Sequence, residues 1–218
     1  MATFFALGLE KAMIYSTHRW FHTATVKFWS FVADQQFSLP QADDLRRATT
    51  DDARRSIVRD QISAALSRWE SVEISHIPDR HTFQFGDTGR ILYQAASIPM
   101  TLDWVMFVID DKRDVRKLGT DLGAYFTDEK VGTVATAIIE VLGYAVNPAV
   151  AAGILLAKEV MKGITYFMKN DEDDQLAVVE QSFIRPRDYP TGKKHGVGVQ
   201  DLSGNMWYDY FIYGMEGA

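Results

Sequence analysis

The first strand-like pattern lies near the start of the chain. Phe5, Leu7 and Leu9 alternate with Ala6, Gly8 and Glu10, the period of two expected of a strand with one buried face. Residues 23–39, TATVKFWSFVADQQFSL, are rich in β-branched and aromatic side chains, and Pro40 closes the run. Both features predict a second strand. A polar stretch, PQADDLRRATTDDARR, reads as a connection. Ile57, Val58, Ile62, Ala65, Leu66 and Trp69 then recur at three-to-four spacing. That is one apolar stripe of an amphipathic helix, with Asp51 and Asp52 near its positive N-terminal end.

Strand signals return at SVEISHI (71–77) and on both sides of Gly86-Asp87-Thr88-Gly89, which reads as a hairpin turn. Residues 102–110, LDWVMFVID, are nearly all apolar and predict a central strand. Residues 131–146 and 148–168 predict two apolar helices joined by Asn147-Pro148, a good N-cap and first-turn pair. Glu140 is the only charge in the first of them. Ala149, Gly153 and Ala157 form a row of small residues that lets helices approach closely. After an acidic turn come QLAVVEQSFIR, the loop PRDYPTGKKHG, the short strand VGVQD, a turn at Ser203-Gly204-Asn205 and the aromatic strand MWYDYFIYG.

The strands are not separated by regular crossover helices, which argues against a doubly wound parallel sheet. The expected fold is mainly β: an antiparallel β-sandwich of about seven or eight strands, C2-like in outline. A helical hairpin over 131–168 and one further amphipathic helix are inserted in a single domain spanning 1–218.

Composition narrows the chemistry. The net charge is −6, and the basic runs are short and broken by acids; nucleic acid is not an expected partner. There is no cysteine, which removes disulfides, zinc-thiolate sites and cysteine nucleophiles. The opening segment lacks the basic start and unbroken apolar core of a secretory signal. The compartment is left open, as cytoplasm or export without a cleaved signal.

Two acidic loops are the candidate site. IDDKRD brings Asp110, Asp111 and Asp114 just after a predicted strand. NDEDD brings Asp171, Glu172, Asp173 and Asp174 just before another. Calcium takes six to eight oxygen ligands, so Asp110, Asp111, Asp114, Asp171, Asp173 and Asp174 are its candidate ligands. If these two strands are antiparallel neighbours, both loops lie at one end of a sheet. The plainer alternative is a pair of solvated turns. In NDEDD the four acids also crowd the unfavourable end of a helix dipole.

Other chemistry has thinner support. His18 and His22, His76 and His81, and His195 form no metal pattern on a helix. Asp87-Thr88-Gly89 has the D-T-G shape of aspartic proteases, but one copy would need a dimer to supply both carboxylates. No nucleophile elbow, zincin or Walker motif occurs. The expected function is therefore a non-enzymatic binding module for a protein partner or membrane surface, with calcium between the acidic loops. The alternative is a toxin-like, pore-forming protein whose hairpin inserts into membranes, although neither helix is a clean span of about twenty apolar residues. An enzyme with a His/Asp site ranks third. The hairpin also offers a face for oligomer formation.

Overall fold

A computed structural model describes residues 4–17, 23–34, 42–66, 70–110, 125–145, 151–153, 155–156, 158–160, 162–163, 174–189 and 192–215. Contacts divide the chain into two compact units. One holds 1–34, 70–112 and 173–218, and the other holds 35–69 and 113–172.

The first unit is built of two antiparallel sheets. Strands β1 (Phe4–Ile14), β4 (His81–Gln84), β5 (Arg90–Ala95), β8 (Gly192–Gln200) and β9 (Met206–Met215) form one. Strands β2 (Ala24–Asp34), β3 (Glu70–Ile77), β6 (Thr101–Asp110) and β7 (Asp174–Ile184) form the other, in the order β3-β2-β6-β7. The predicted alternation decides which face turns inward. Phe5, Leu7 and Leu9 of β1 and Tyr208, Tyr210 and Ile212 of β9 join Val26 and Phe28 of β2 and Trp104, Met106 and Val108 of β6 in one core. Trp104 meets Tyr208 edge-on at 5.6 Å, and its indole N–H donates to Ser30 Oγ at 3.0 Å. The sheets thus share one core, in a sandwich-like arrangement. The other side of β2 and β6 is buried as well, at Trp29, Phe31, Val105 and Phe107. This explains why 102–110 reads as an unbroken apolar run: a strand buried on both faces has no polar side.

The Gly-Asp-Thr-Gly segment is not a hairpin turn. Strands β4 and β5 do not pair with each other. Both run antiparallel to β1, one after the other along the same edge: Ile14 faces His81 and Lys11 faces Gln84, then Leu9 faces Arg90 and Phe5 faces Ala95. Residues 85–89 are a loop bulging from one interrupted edge strand, with φ at +74° for Gly86 and +71° for Gly89. Glycine tolerates that region without a Cβ clash, so the sequence signal marked a turn-like backbone correctly but not a chain reversal. The stretch PRDYPTGKKHG is likewise more ordered than a loop. A short helix, Arg185–Asp188, runs into it, and β8 begins within it at Gly192.

The second unit contains α1 (Ala42–Arg47), α2 (Asp51–Leu66) and α3 (Asp128–Tyr144). The stretch expected to be a polar connection includes α1 and the first turn of α2. Residues 151–153, 155–156, 158–160 and 162–163 are helical too. Residues 146–150 and 164–173 lie outside the described residues, and so therefore does the joint of the predicted hairpin. Thr127 caps α3, its hydroxyl accepting from Lys130 N at 3.4 Å. Although α3 is apolar in composition, only one stripe is buried: Val131, Val134, Ala135, Ile138 and Leu142. Arg59 of α2 pairs with Asp128, and Arg46 of α1 donates to the carbonyl of Leu142. Arg55 of α2 also lies against Gly132 of α3, so 55 and 59 meet 132 and 128 and the two helices run antiparallel.

Candidate functional site

The strand ending at Asp110 and the strand beginning near Gln175 are antiparallel neighbours. Asp110 stands opposite Asp174 in the β6–β7 register, and Ile109 stands opposite Gln175. Two of the six predicted cation ligands are thus brought to one end of one sheet. Asp110 is buried, and one carboxylate oxygen accepts from Thr25 N at 3.2 Å. The other four, Asp111, Asp114, Asp171 and Asp173, lie outside the described residues. Among the described residues no group of three or more His, Asp or Glu side chains is arranged to hold a metal.

That end of the unit is knitted together by the turn between β8 and β9. Asp201 is buried and accepts from Met206 N at 2.8 Å, Ser203 N at 2.8 Å, Ser203 Oγ at 2.5 Å and, across to the other sheet, Val178 N at 2.9 Å. Leu202 N donates to Val178 O at 2.8 Å. Ser203 Oγ and Asn205 Nδ2 both donate to Leu176 O. The Ser-Gly-Asn turn read from sequence therefore also closes the outer edge of β7. Nothing in the local pattern announces this, because Val178 is 23 residues from Asp201.

Among the described residues the histidines do not converge into a catalytic set. His18 and His22 lie outside the described residues. His76 sits at a turn-like φ of +64°, and His81 packs edge-on against Phe83 at 4.8 Å. His195 Nδ1 lies 3.1 Å from Glu10 Oε2 on the exposed side of the five-stranded sheet. Asp87 is exposed in the bulging loop.

The aromatic strand MWYDYFIYG divides as its alternation predicts. Met206, Tyr208, Tyr210 and Ile212 face the core. Phe211 lies on the outer side against Gly8 and Gly89, where a Cβ on Gly8 would stand 2.3 Å from the ring. Trp207 and Tyr213 of that outer side are only half-buried.

The end of the unit opposite Asp110 and Asp174 gathers exposed apolar side chains. Phe4, Met100, Ile184 and Met215 are 38–47% exposed. Phe4 pairs with Met215 across β1 and β9. Ile184 pairs with Thr101 across β7 and β6, and Arg185 N donates to Met100 O at 2.9 Å. Ile98 joins the two sheets here: its Cδ1 lies 3.2 Å from where a Cβ on Gly214 would stand. The Tyr189 hydroxyl donates to Pro99 O at 3.0 Å.

Cations flank this apolar group. Arg187 Nη2 lies 2.9 Å and Lys194 Nζ 3.6 Å from the Asp188 carboxylate. Asp188 also accepts from Ile184 N at 2.7 Å. The Arg187 hydrogen bonds, helped by that amide, draw its carboxyl down to about 2. The carboxylate is only 14% exposed, whereas Arg187 is 67% exposed, so the cations face outward. Sequence reading missed this group because its members come from four separated strand ends; the only local hint is Ile184-Arg185-Pro186-Arg187, an apolar residue beside two cations.

Comparison with known proteins finds no family model, no curated protein and no solved structure that matches the chain. What the structure defines is a class of architecture, a mainly β protein with two antiparallel sheets and a few helices.

Proposed function

We propose that the chain is a non-enzymatic binding module that engages a protein partner or a membrane surface through the end bearing Phe4, Met100, Ile184 and Met215. The grouping of these four at one end carries the reading. Scattered exposed apolar residues are ordinary; here Phe4 pairs with Met215 across β1 and β9, and Arg185 N bonds Met100 O beside Ile184. The sandwich-like core with acids at one end supports the C2-like outline. No helix among the described residues is long and apolar enough to cross a membrane.

A photo-crosslinking residue at position 100 tests the reading in cells, with the same group at Asp52, exposed on α2, as control. Adducts to lipid or to a discrete protein are expected from position 100 and not from position 52. Equal labelling from both positions sinks the proposal.

A second reading draws support from the pairing of Asp110 with Asp174: calcium held between the acidic loops. Calcium that binds only the native state raises the melting temperature as its concentration exceeds Kd. An unchanged melting curve at saturating calcium, with chelator also without effect, removes this reading.

A further inference from the structure

We infer that Met100 and Met215 are sites of reversible sulfoxidation by peroxide, and that their oxidation releases what this end binds; the second half rests on the binding-module reading. The five described methionines divide by exposure. Met106 and Met206 are buried in the core at 0% exposure, and Met13 is half-buried. Met100 is 47% and Met215 45% exposed. Met100 stands just before β6 and Met215 closes β9, so each sheet brings one of them to this end. A thioether is oxidised where the oxidant reaches it. A sulfur inside the core is reached only when the fold opens.

The oxidation balances with a peroxide as the only co-reactant. A lone pair of the thioether sulfur attacks one peroxide oxygen, and the S–O bond forms as the O–O bond breaks. The departing oxygen takes the proton of the transferred hydroxyl and leaves as water. Sulfur loses two electrons and the peroxide gains them. At position 215 the surroundings favour the product. The Tyr213 hydroxyl already donates to Met215 Sδ at 3.7 Å. A thioether sulfur is a weak acceptor, whereas the sulfoxide oxygen on the same atom is a strong one. At position 100 the neighbour is Ile184, 44% exposed and brought alongside by the Arg185 N to Met100 O bond. In both places a flexible apolar side chain becomes a polar one, a change that disrupts methionine-bearing contact surfaces and that sulfoxide reductases reverse.

Peptide mapping of the full chain after graded hydrogen peroxide tests the sites. Met100 and Met215 are expected to gain oxygen about tenfold or more faster than Met106 and Met206, with Met13 between them. In strong urea all of them should react alike. Equal rates in the folded protein overturn the inference. A photo-crosslinking residue at position 184 tests the release in cells. Its adducts should fall several-fold after peroxide. They should persist when Met100→Leu is combined with Met215→Leu, a swap that keeps the apolar bulk and cannot take oxygen. Adducts that survive with both sulfoxides formed, or that fall equally in the leucine variant, overturn the release. Absence of adducts from position 184 before oxidation defeats the binding-module reading and the release with it, and the peptide map alone then decides the two modification sites.

Discussion

Asp201 shows how one side chain does work that a turn motif does not reveal. A surface Asp in a hairpin turn normally bonds its own backbone nearby. Asp201 does so through Ser203 N and Met206 N, and it also accepts from Val178 N in the other sheet. Removing a carboxylate leaves these donors unsatisfied, and a buried donor without a partner costs more than the bond it lost. Asp201→Ala should therefore destabilise the protein by about 3 kcal/mol, read as a lowered urea midpoint. A change below about 0.5 kcal/mol would show that water replaces the carboxylate. Gly8 was visible only as an outer-face position in an alternating strand. The Phe211 ring occupies the space its Cβ would need, a requirement set by a residue more than 200 positions away.

Edges and helix ends decide what the elements can do. A strand edge left open invites pairing with another chain, and several edges here are interrupted. The β8–β9 turn covers β7 at Val178. The outer strand beside β1 is broken by the loop at 85–89, and its β5 part is bulged near Leu7 and Gly8. The β8–β9 pairing shifts between Gly196 and Val199, where Gly198 N donates to Asp209 Oδ1 at 2.7 Å. These irregularities favour binding through an end or a face over strand addition. In the helical unit, α3 starts at Asp128, three residues before the expected position, because Thr127 supplies a cap that the apolar pattern does not include. Thr127→Ala should cost about 1 kcal/mol, seen as faster hydrogen exchange in the first turn of α3. Exchange unchanged there would show that Asp128 and Glu129 suffice to start the helix.

At the scale of the molecule, the shared core of the two sheets is rich in tyrosine, which gives it an alkaline limit. Burial raises Tyr208 to about 12. Burial also raises Tyr189 and Tyr210, and it raises Tyr93 together with the bond that Tyr93 donates to Asp34. The native state holds these protons above the unfolded value near 10. Their stabilising contribution is complete below about pH 10 and is lost as pH rises through the folded values. Unfolding should set in between about pH 10 and 12, with tyrosinate absorbance from the buried rings appearing together with loss of the fold. Tyrosinate absorbance complete while the fold persists would contradict this.

The sequence by itself determined most of the strand segments and the division of their residues into two faces, since alternation and β-branched content are local and follow from the pleat. It made the placing of the two acidic segments at one end of a sheet conditional on the flanking strands being antiparallel neighbours, and the register shows that they are. It did not determine that 81–95 forms one interrupted edge strand, because a turn-like backbone at two glycines is the same whether the chain reverses or merely bulges. Nor did it determine the exposed group of Phe4, Met100, Ile184 and Met215. Each of these residues reads as an ordinary strand-end apolar residue. Only the register of β1 on β9 and of β6 on β7, and the packing of Ile98 against Gly214, bring the four to one end. The physical reason is that exposure and proximity are sums over distant neighbours, which tertiary packing decides, while periodicity is a property of the segment itself.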